Sequence, residues 1–289
     1  MKIGFFGSGI FASSLAYAIN KNKENEIFMY DKFSFHKTDL NAEYTKDINS
    51  FFSNKFDFVF IGVPSSVFIE AIKDIPNEYN ANFTICTKGI SDSENLFFSD
   101  ILFEHLKHHK ICVLSGPNFA IEILNQTETI TTIASKDLKY AKQVADIFKD
   151  SCIEVECSNK IYQAQIFGAL KNVMAIYIGY MYGKGYGMNH IMKYTMETLK
   201  ESFLLASKFE NTIDMLSSCV IGDIILTCFN EKSRNRSFGE AISKGSGREF
   251  LNNNTVEGYK NAFSVDKLIK KYNLKLSNFE KVIKLISEV

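Results

Sequence analysis

The chain has 289 residues, 33 basic and 33 acidic side chains for a formal net charge of zero, and a hydrophobic fraction of 46%. That length supplies enough apolar surface for one large core or two domains, and the composition argues against a largely disordered chain. The charge balance argues against a nucleic-acid binder built on a basic tail. Six cysteines with no CxxC pair and no dense framework argue against a disulfide scaffold and fit a reduced, cytoplasmic protein.

Residues 2–6 read as a short buried strand, followed by Gly7-Ser8-Gly9 and a helix over about 10–21. A lysine, an apolar stretch and Ala-Tyr-Ala at 16–18 imitate a secretory signal, but small residues break the stretch at a spacing that suits a strand-turn-helix unit. A second strand covers 27–30. Residues 56–63 form a nearly unbroken apolar run of the kind a parallel sheet requires, ending at Pro64, where Ser65 or Ser66 is expected to cap a helix over 67–73. Strands at 83–87 and 111–115 run into Lys88-Gly89 and Ser115-Gly116-Pro117, and strands at 129–134 and 152–156 bracket a helix at 137–149. Strands and helices alternating in this way predict an open α/β sheet.

Beyond about residue 158 a helical period dominates, over 159–182, 189–209, 212–228, 238–243, 256–272 and 278–288, with 252–254 as an exposed loop. The division expected is therefore a sheet domain over 1–158 and a helical domain over 159–289. The apolar stretch at 173–182 is about half a spanning length and is flanked by Lys171 and Lys184, so no integral membrane association is expected.

Gly7-Ser8-Gly9-Ile10-Phe11-Ala12 fits G-x-G-x-x-G/A between a strand and a helix, the context in which such a turn cradles the pyrophosphate of a dinucleotide. Gly7 permits the tight turn, Gly9 the close approach of the backbone, and Ala12 the close helix-strand contact. Asp31, 24 residues beyond Gly7, stands where a carboxylate accepts the adenosine ribose hydroxyls, which favours NAD; Lys32 keeps NADP possible. The competing reading is a structural loop of another α/β protein.

Lys171 opens a strongly apolar helical segment and, if buried, suits acid-base work; read alone, a snorkelling helix lysine is the more ordinary explanation. Asp223 sits beside Ile224-Ile225-Leu226 and alone reads as an N-cap. Ser233-Arg234-Asn235-Arg236 suits a phosphate or carboxylate, or else is a solvated turn. Its arginines matter because the chain has only one other, Arg248, beside a Gly-Ser-Gly turn with no assigned role; a planar fork holds phosphate in a way that lysine cannot. His36, His105, His108, His109 and His190 make no ligand-spaced cluster, so no metal is expected, and His108-His109 reads as surface.

Taken in order, the glycine-rich turn, Lys88-Gly89-Ile90, Ser115-Gly116-Pro117-Asn118-Phe119-Ala120 with Glu122, Gly168-Ala169-Leu170-Lys171-Asn172, Gly222-Asp223 to Thr227-Cys228, Ser233 to Arg236 with Phe238-Gly239, and Val256-Glu257-Gly258 closely resemble the bacterial-type NAD(P)-dependent glycerol-3-phosphate dehydrogenases over nearly the whole chain. The resemblance implies an N-terminal Rossmann-like domain, an all-helical C-terminal domain of the 6-phosphogluconate-dehydrogenase-like kind, and a substrate held between them. It implies interconversion of dihydroxyacetone phosphate and sn-glycerol 3-phosphate for phospholipid synthesis by a cytoplasmic homodimer.

By the same resemblance Lys171 is the catalytic lysine with Asp223 beside it, and Lys88 contacts both substrate and cofactor. Gly116, Asn118, Asp223, Ser233, Arg234 and Asn235 fall on further substrate-contacting positions. Ile10, Phe11, Ala120, Arg234, Thr255 and Glu257 fall on cofactor-contacting positions. Ile10 departs from the usual hydroxyl residue, Asn118 replaces another, Ala12 replaces the more usual third glycine, and the arginine often found after the second strand is lacking, which weakens the case for NADP. The chain is also shorter than most members, consistent with trimmed loops and a short C-terminus. Rival readings are a 3-hydroxyacid or ketopantoate-type reductase of the same architecture, and a dinucleotide-binding sensor without turnover.

Overall fold

The apolar runs of the first half become neighbours in one eight-stranded sheet. The computed structural model describes residues 1–22, 24–36, 38–91, 97–107 and 110–289, so the expectation for His108-His109 lies outside the described residues. Contacts divide the chain into two units, Met1–Lys88 with Asn95–Ala164, and Gly89–Glu94 with Gln165–Val289.

In the first unit the order is β1 (Lys2–Phe6), α1 (Ile10–Ile19), β2 (Glu26–Tyr30), β3 (Glu43–Thr45), α2 (Ile48–Ser53), β4 (Phe58–Ile61), α3 (Phe68–Ile72), β5 (Asn82–Ile85), α4 (Phe98–Leu106), β6 (Ile111–Ser115), α5 (Ala120–Leu124), β7 (Thr129–Ala134), α6 (Leu138–Asp146) and β8 (Ile153–Ser158). The strands lie in the order β3-β2-β1-β4-β5-β6-β7-β8. All pairs are parallel except β6 with β7, which makes the sheet mixed. Strand order reverses at β1, which pairs with β2 on one side and β4 on the other, with Phe6 level with both Tyr30 and Ile61. A crevice outside the carboxyl ends of strands at such a reversal is where open α/β sheets take ligands. Aromatic side chains fill the layers beside it, Phe5 stacking on Phe60 with centroids 5.0 Å apart and Phe6 on Tyr30 at 5.2 Å.

Some local expectations are corrected. The apolar run at 56–63 is a strand only over Phe58–Ile61; ahead of it the Phe56 N–H donates to Tyr79 Oη at 3.0 Å. Neither Ser65 nor Ser66 caps a helix: Ser65–Val67 is a 3-10 turn closed by the Val67 N–H on the Pro64 carbonyl at 3.1 Å, and α3 follows without a side-chain cap. β3, which carries no periodic signal in three residues, and α2, α4 and α5 are elements beyond those expected from the sequence.

The second unit contains α7 (Ile161–Gly183), which begins before the unit boundary, then α8 (Met188–Ala206), α9 (Asp223–Phe229), α10 (Arg234–Ser243), α11 (Gly247–Asn253), α12 (Glu257–Lys271) and α13 (Ser277–Ser287). Among its described residues there is no strand. The helix expected over 212–228 begins only at a π turn, Ser218–Gly222, which runs into α9. Upstream, Asp214 Oδ1 accepts the Leu216 N–H at 3.1 Å and the Asp214 carbonyl accepts Ser217 Oγ at 2.8 Å, local bonds that compete with helix formation. Asn252 and Asn253 are exposed as expected but complete α11 rather than forming a loop. Asn253 and Asn254 donate Nδ2 to the carbonyls of Glu249 (3.2 Å) and Phe250 (3.0 Å), satisfying groups the helix end would leave open.

Glycine lets α7 and α10 meet backbone to backbone, since a Cβ on Gly239 would collide with the Ile176 carbonyl. The α13 N-terminus is capped from α8, where Glu201 accepts the N–H groups of Asn278 (3.0 Å) and Phe279 (3.2 Å). No helix among the described residues is long and apolar enough to cross a membrane.

Candidate active site

In the first unit the glycine-rich turn lies between β1 and α1. Gly7 has φ +99°, and a Cβ there would come within 2.9 Å of the Gly62 and Val63 backbone, so the turn needs glycine on both counts. A Cβ on Gly9 would meet nothing within 4 Å. The turn therefore leaves open space before the N-terminus of α1, where orphan N–H groups and the helix dipole favour an anion, and these residues fit a dinucleotide pyrophosphate. Ile10 is exposed and Phe11 half-buried at the start of the helix.

Lys88 joins three of the predicted blocks. Its Nζ donates to the Gly116 carbonyl at 3.2 Å and lies 5.4 Å from the centroid of the Phe11 ring. Asn118 is buried, and its Nδ2 donates to Thr129 Oγ1 and the Ile130 carbonyl, both at 2.9 Å, which engages both amide hydrogens. Its Oδ1 has no partner, so the side chain can offer a substrate an acceptor and no donor. Ala120 is half-buried at the first position of α5. Cys86, two residues before Lys88, is not a nucleophile: burial pushes its thiol far up, and the nearby Lys88 charge opposes this only in part.

In the second unit Lys171 on α7 and Asp223 at the start of α9 form an ion pair, Nζ to Oδ1 2.5 Å, with side chains 4% and 2% exposed. Lys171 does not snorkel, and Asp223 is no N-cap; Gly222 holds that position. Thr227, one turn along α9, donates Oγ1 to the same Asp223 oxygen at 3.3 Å. Cys228 is wholly buried beside the pair, and burial drives its thiol far up, so it stays protonated.

A second network lies around Asn172. Asn172 Nδ2 donates to the Gly168 carbonyl (3.1 Å) and to Glu257 Oε2 (3.3 Å), while its Oδ1 accepts Asn235 Nδ2 (2.8 Å). Asn235 Oδ1 in turn accepts the Gly258 N–H at 2.9 Å. Asn235 thus ties α7, α10 and α12 together and keeps one amide hydrogen for another partner. Ser233 is the N-cap of α10, accepting the Arg236 N–H at 3.4 Å, and its own hydroxyl hydrogen remains to be donated.

The two arginines of that block differ. Arg234 is exposed at the first position of α10, whereas Arg236 is buried. Arg236 donates Nε to Glu240 (3.0 Å) and Nη1 to the Phe229 carbonyl (2.6 Å), and lies 4.2 Å from the Tyr182 ring centroid. Arg236 is thus engaged with the protein's own groups, and Arg234 is the exposed guanidinium of the block. Thr255 is exposed, and its side chain makes no hydrogen bond among the described residues. Arg248 donates Nε to the Val289 carbonyl at 3.0 Å, a tether the sequence did not suggest.

Asn172 and Thr227 received no role from sequence. Their signal was present: Thr227 lies one helical turn after Asp223, and Asn172 is a buried-segment amide directly after Lys171. Among the described residues no three His, Cys, Asp or Glu side chains gather as metal ligands.

Two family models match the chain, the N-terminus of NAD-dependent glycerol-3-phosphate dehydrogenase over residues 36–141 and its C-terminus over residues 160–289. A protein named NAD(P)+ glycerol-3-phosphate dehydrogenase from Francisella tularensis subsp. novicida is 35% identical over 233 residues, 77% of this chain and 69% of that one. One of the same name from Francisella philomiragia is 34% identical over 226 residues, covering 76% and 68%. Among solved structures, a glycerol-3-phosphate dehydrogenase from Coxiella burnetii has a TM-score of 0.91 at 21% identity, covering 99% of this chain and 94% of that one. That from Plasmodium falciparum has a TM-score of 0.86 at 22% identity, covering 100% and 92%. At those identities the structures speak to the fold.

Proposed function

The chain belongs to the NAD-dependent glycerol-3-phosphate dehydrogenase family, and from that premise we propose that it catalyses the reversible NAD(P)H-dependent reduction of dihydroxyacetone phosphate to sn-glycerol 3-phosphate. It is an oxidoreductase acting on a CH–OH group, and its product feeds glycerophospholipid synthesis. Residues 1–158 serve the dinucleotide and residues 159–289 the substrate, in a cytoplasmic homodimer.

The observation that carries this reading is the buried Lys171–Asp223 pair. A carbonyl reduction needs a proton delivered to the oxygen on which charge develops, and a buried ammonium supplies both the stabilising charge and the proton. Asp223 orients Lys171 through the ion pair, and Thr227 holds the carboxylate that does so. In the oxidative direction neutral Lys171 takes the hydroxyl proton.

The phosphate of the substrate is held by Arg234, by the N-terminal N–H groups of α10 and by the Ser233 hydroxyl, with the remaining Asn235 amide hydrogen beside them. Binding energy at that end orients the reacting carbon. Within the first unit, Lys88, the Gly116 backbone and the Asn118 oxygen are the groups that contact the substrate.

Gly7, Gly9, Ile10 and Phe11 hold the pyrophosphate end of the cofactor, with Lys88, Ala120, Arg234, Thr255 and Glu257 at its other contacts. NAD is the favoured form because the arginine often found after the second strand is lacking, and Lys32 keeps NADP open. A bound reduced nicotinamide supplies the hydride; the protein's part is binding, orientation and the proton.

The test follows NADH and NADPH oxidation spectrophotometrically with dihydroxyacetone phosphate and with unphosphorylated ketones. Strong preference for the phosphorylated ketone is expected, and equal rates would refute the assignment. Lys171→Ala is expected to abolish turnover while leaving NADH binding nearly intact; loss of both together would point to a folding role.

A further inference from the structure

We propose that Asp31 is a positioning residue for the glycine-rich turn and not the acceptor of the adenosine ribose. The inference rests on the reading of that turn as the dinucleotide site. Asp31 follows β2, where sequence spacing alone casts a carboxylate as a ribose reader. Its two oxygens are already directed at the protein's own groups. Oδ2 accepts the Ser8 N–H at 3.0 Å and lies 3.3 Å from Ser8 Oγ. Oδ1 accepts the N–H groups of Phe33 at 2.9 Å and Ser34 at 3.2 Å.

An ionised carboxylate has about four acceptor positions. Three here face backbone N–H groups, and the fourth faces a hydroxyl that is also 3.2 Å from the Ser34 carbonyl. A vicinal diol needs two positions on the same carboxylate, so it could bind only by displacing a backbone bond. Ser8 is fully buried, and its N–H would then be stranded away from water.

The carboxylate belongs to a larger clasp. The His36 N–H donates to the Ser8 carbonyl at 3.2 Å, and Ser13 Oγ on α1 lies 3.0 Å from the His36 carbonyl. Residues 31–36 are in this way folded against the turn, with Asp31 bonding both the turn and the segment's own backbone. Its charge therefore sets the shape of the turn for either dinucleotide. Discrimination by repulsion of a 2′-phosphate is not its task, and the neighbouring exposed Lys32 offers a cation at the same end.

The experiment measures Kd for NADH and NADPH by nicotinamide fluorescence on the full chain, for wild type, Asp31→Asn and Ser8→Ala. Amide hydrogen exchange of residues 33–36 is followed in the cofactor-free protein. Asp31→Asn is expected to raise both Kd values by about tenfold, keeping their ratio within about fivefold of wild type. Exchange of residues 33–36 is expected to accelerate without any cofactor. Ser8→Ala, which keeps the backbone N–H, gives a smaller rise in both Kd values at an unchanged ratio.

A ratio that moves more than about fivefold toward NADPH would overturn the proposal and restore Asp31 as the ribose reader. So would Kd values and exchange that do not change. If Asp31→Asn fails to fold, the ratio in Ser8→Ala decides by the same criterion. Wild-type protein that binds neither dinucleotide would overturn the proposed function itself, a result told apart because failure of the Asp31 assignment leaves wild-type binding intact.

Discussion

Asp223→Asn keeps the side chain's volume and removes the charge that faces Lys171. The two side chains are 4% and 2% exposed and the N–O distance is 2.5 Å, so water cannot replace the carboxylate. At an effective dielectric of about 20 the attraction over that distance is about 7 kcal/mol, and breaking a buried pair by removing one partner costs about 3–5 kcal/mol. Deprotonation sets the upper bound. A folded variant that releases the Lys171 proton at pH 7, while the unfolded chain keeps it up to about 10.4, loses about 3.4 pH units at 1.36 kcal/mol each, or about 4.6 kcal/mol.

The sign follows from the proton count. In the variant the unfolded state binds one proton more than the folded state, so stability rises with pH. The deficit relative to wild type is expected to shrink by about 1.4 kcal/mol per unit between pH 7 and about pH 10. Urea unfolding followed by circular dichroism at pH 7, 8 and 9 measures it. The double variant Lys171→Met with Asp223→Leu, which buries no charge, is expected to be more stable than Asp223→Asn at pH 7, with neither variant active. A deficit below about 1 kcal/mol, or one that does not change with pH, would refute the charge argument and leave Asp223 a packing role.

Asn235→Ala strands the Gly258 N–H and Asn172 Oδ1, which it now bonds at 2.9 and 2.8 Å. At about 1–3 kcal/mol for each buried group, Tm should fall by about 5 °C or more by calorimetry, and an unchanged Tm would dismiss the network. Lys88→Met removes the cation from Gly116 and Phe11, and is expected to lower kcat/KM for dihydroxyacetone phosphate by about tenfold to a hundredfold; a wild-type value would remove Lys88 from the site. Burial holds the Cys112 thiol up at about 12. The unfolded thiol ionises first, so this group's share of stability is lost as pH rises past its ordinary value, by about 1.4 kcal/mol per unit. Cys112→Ala should therefore flatten the fall in stability between about pH 9 and pH 11, and parallel curves for the two proteins would contradict it.

Much of the fold was legible because its signals are local. The turn after β1, the apolar runs of β4 and β6, and the helical period of α7, α8, α12 and α13 each lie within a few turns of chain. The failures are local signals beaten by other local bonds, as where the Asp214 carboxylate accepts the Leu216 N–H, the Ser217 hydroxyl donates to the Asp214 carbonyl, and the helix is delayed to the π turn before α9. Three residues of β3 hold too little pattern to be read at all.

Side-chain roles divided differently. The sequence by itself determined which chemical groups the chain possesses and, through ordered blocks, the family to which it belongs. Tertiary structure decided what each group faces. It turned Lys171 inward onto Asp223, left Arg234 exposed at a helix start while folding Arg236 onto Glu240 and Tyr182, and aimed the Asp31 oxygens at Ser8, Phe33 and Ser34. The physical reason is that a charge's protonation state and available bonds depend on burial and on partners distant in the chain, quantities that residue type and spacing do not contain.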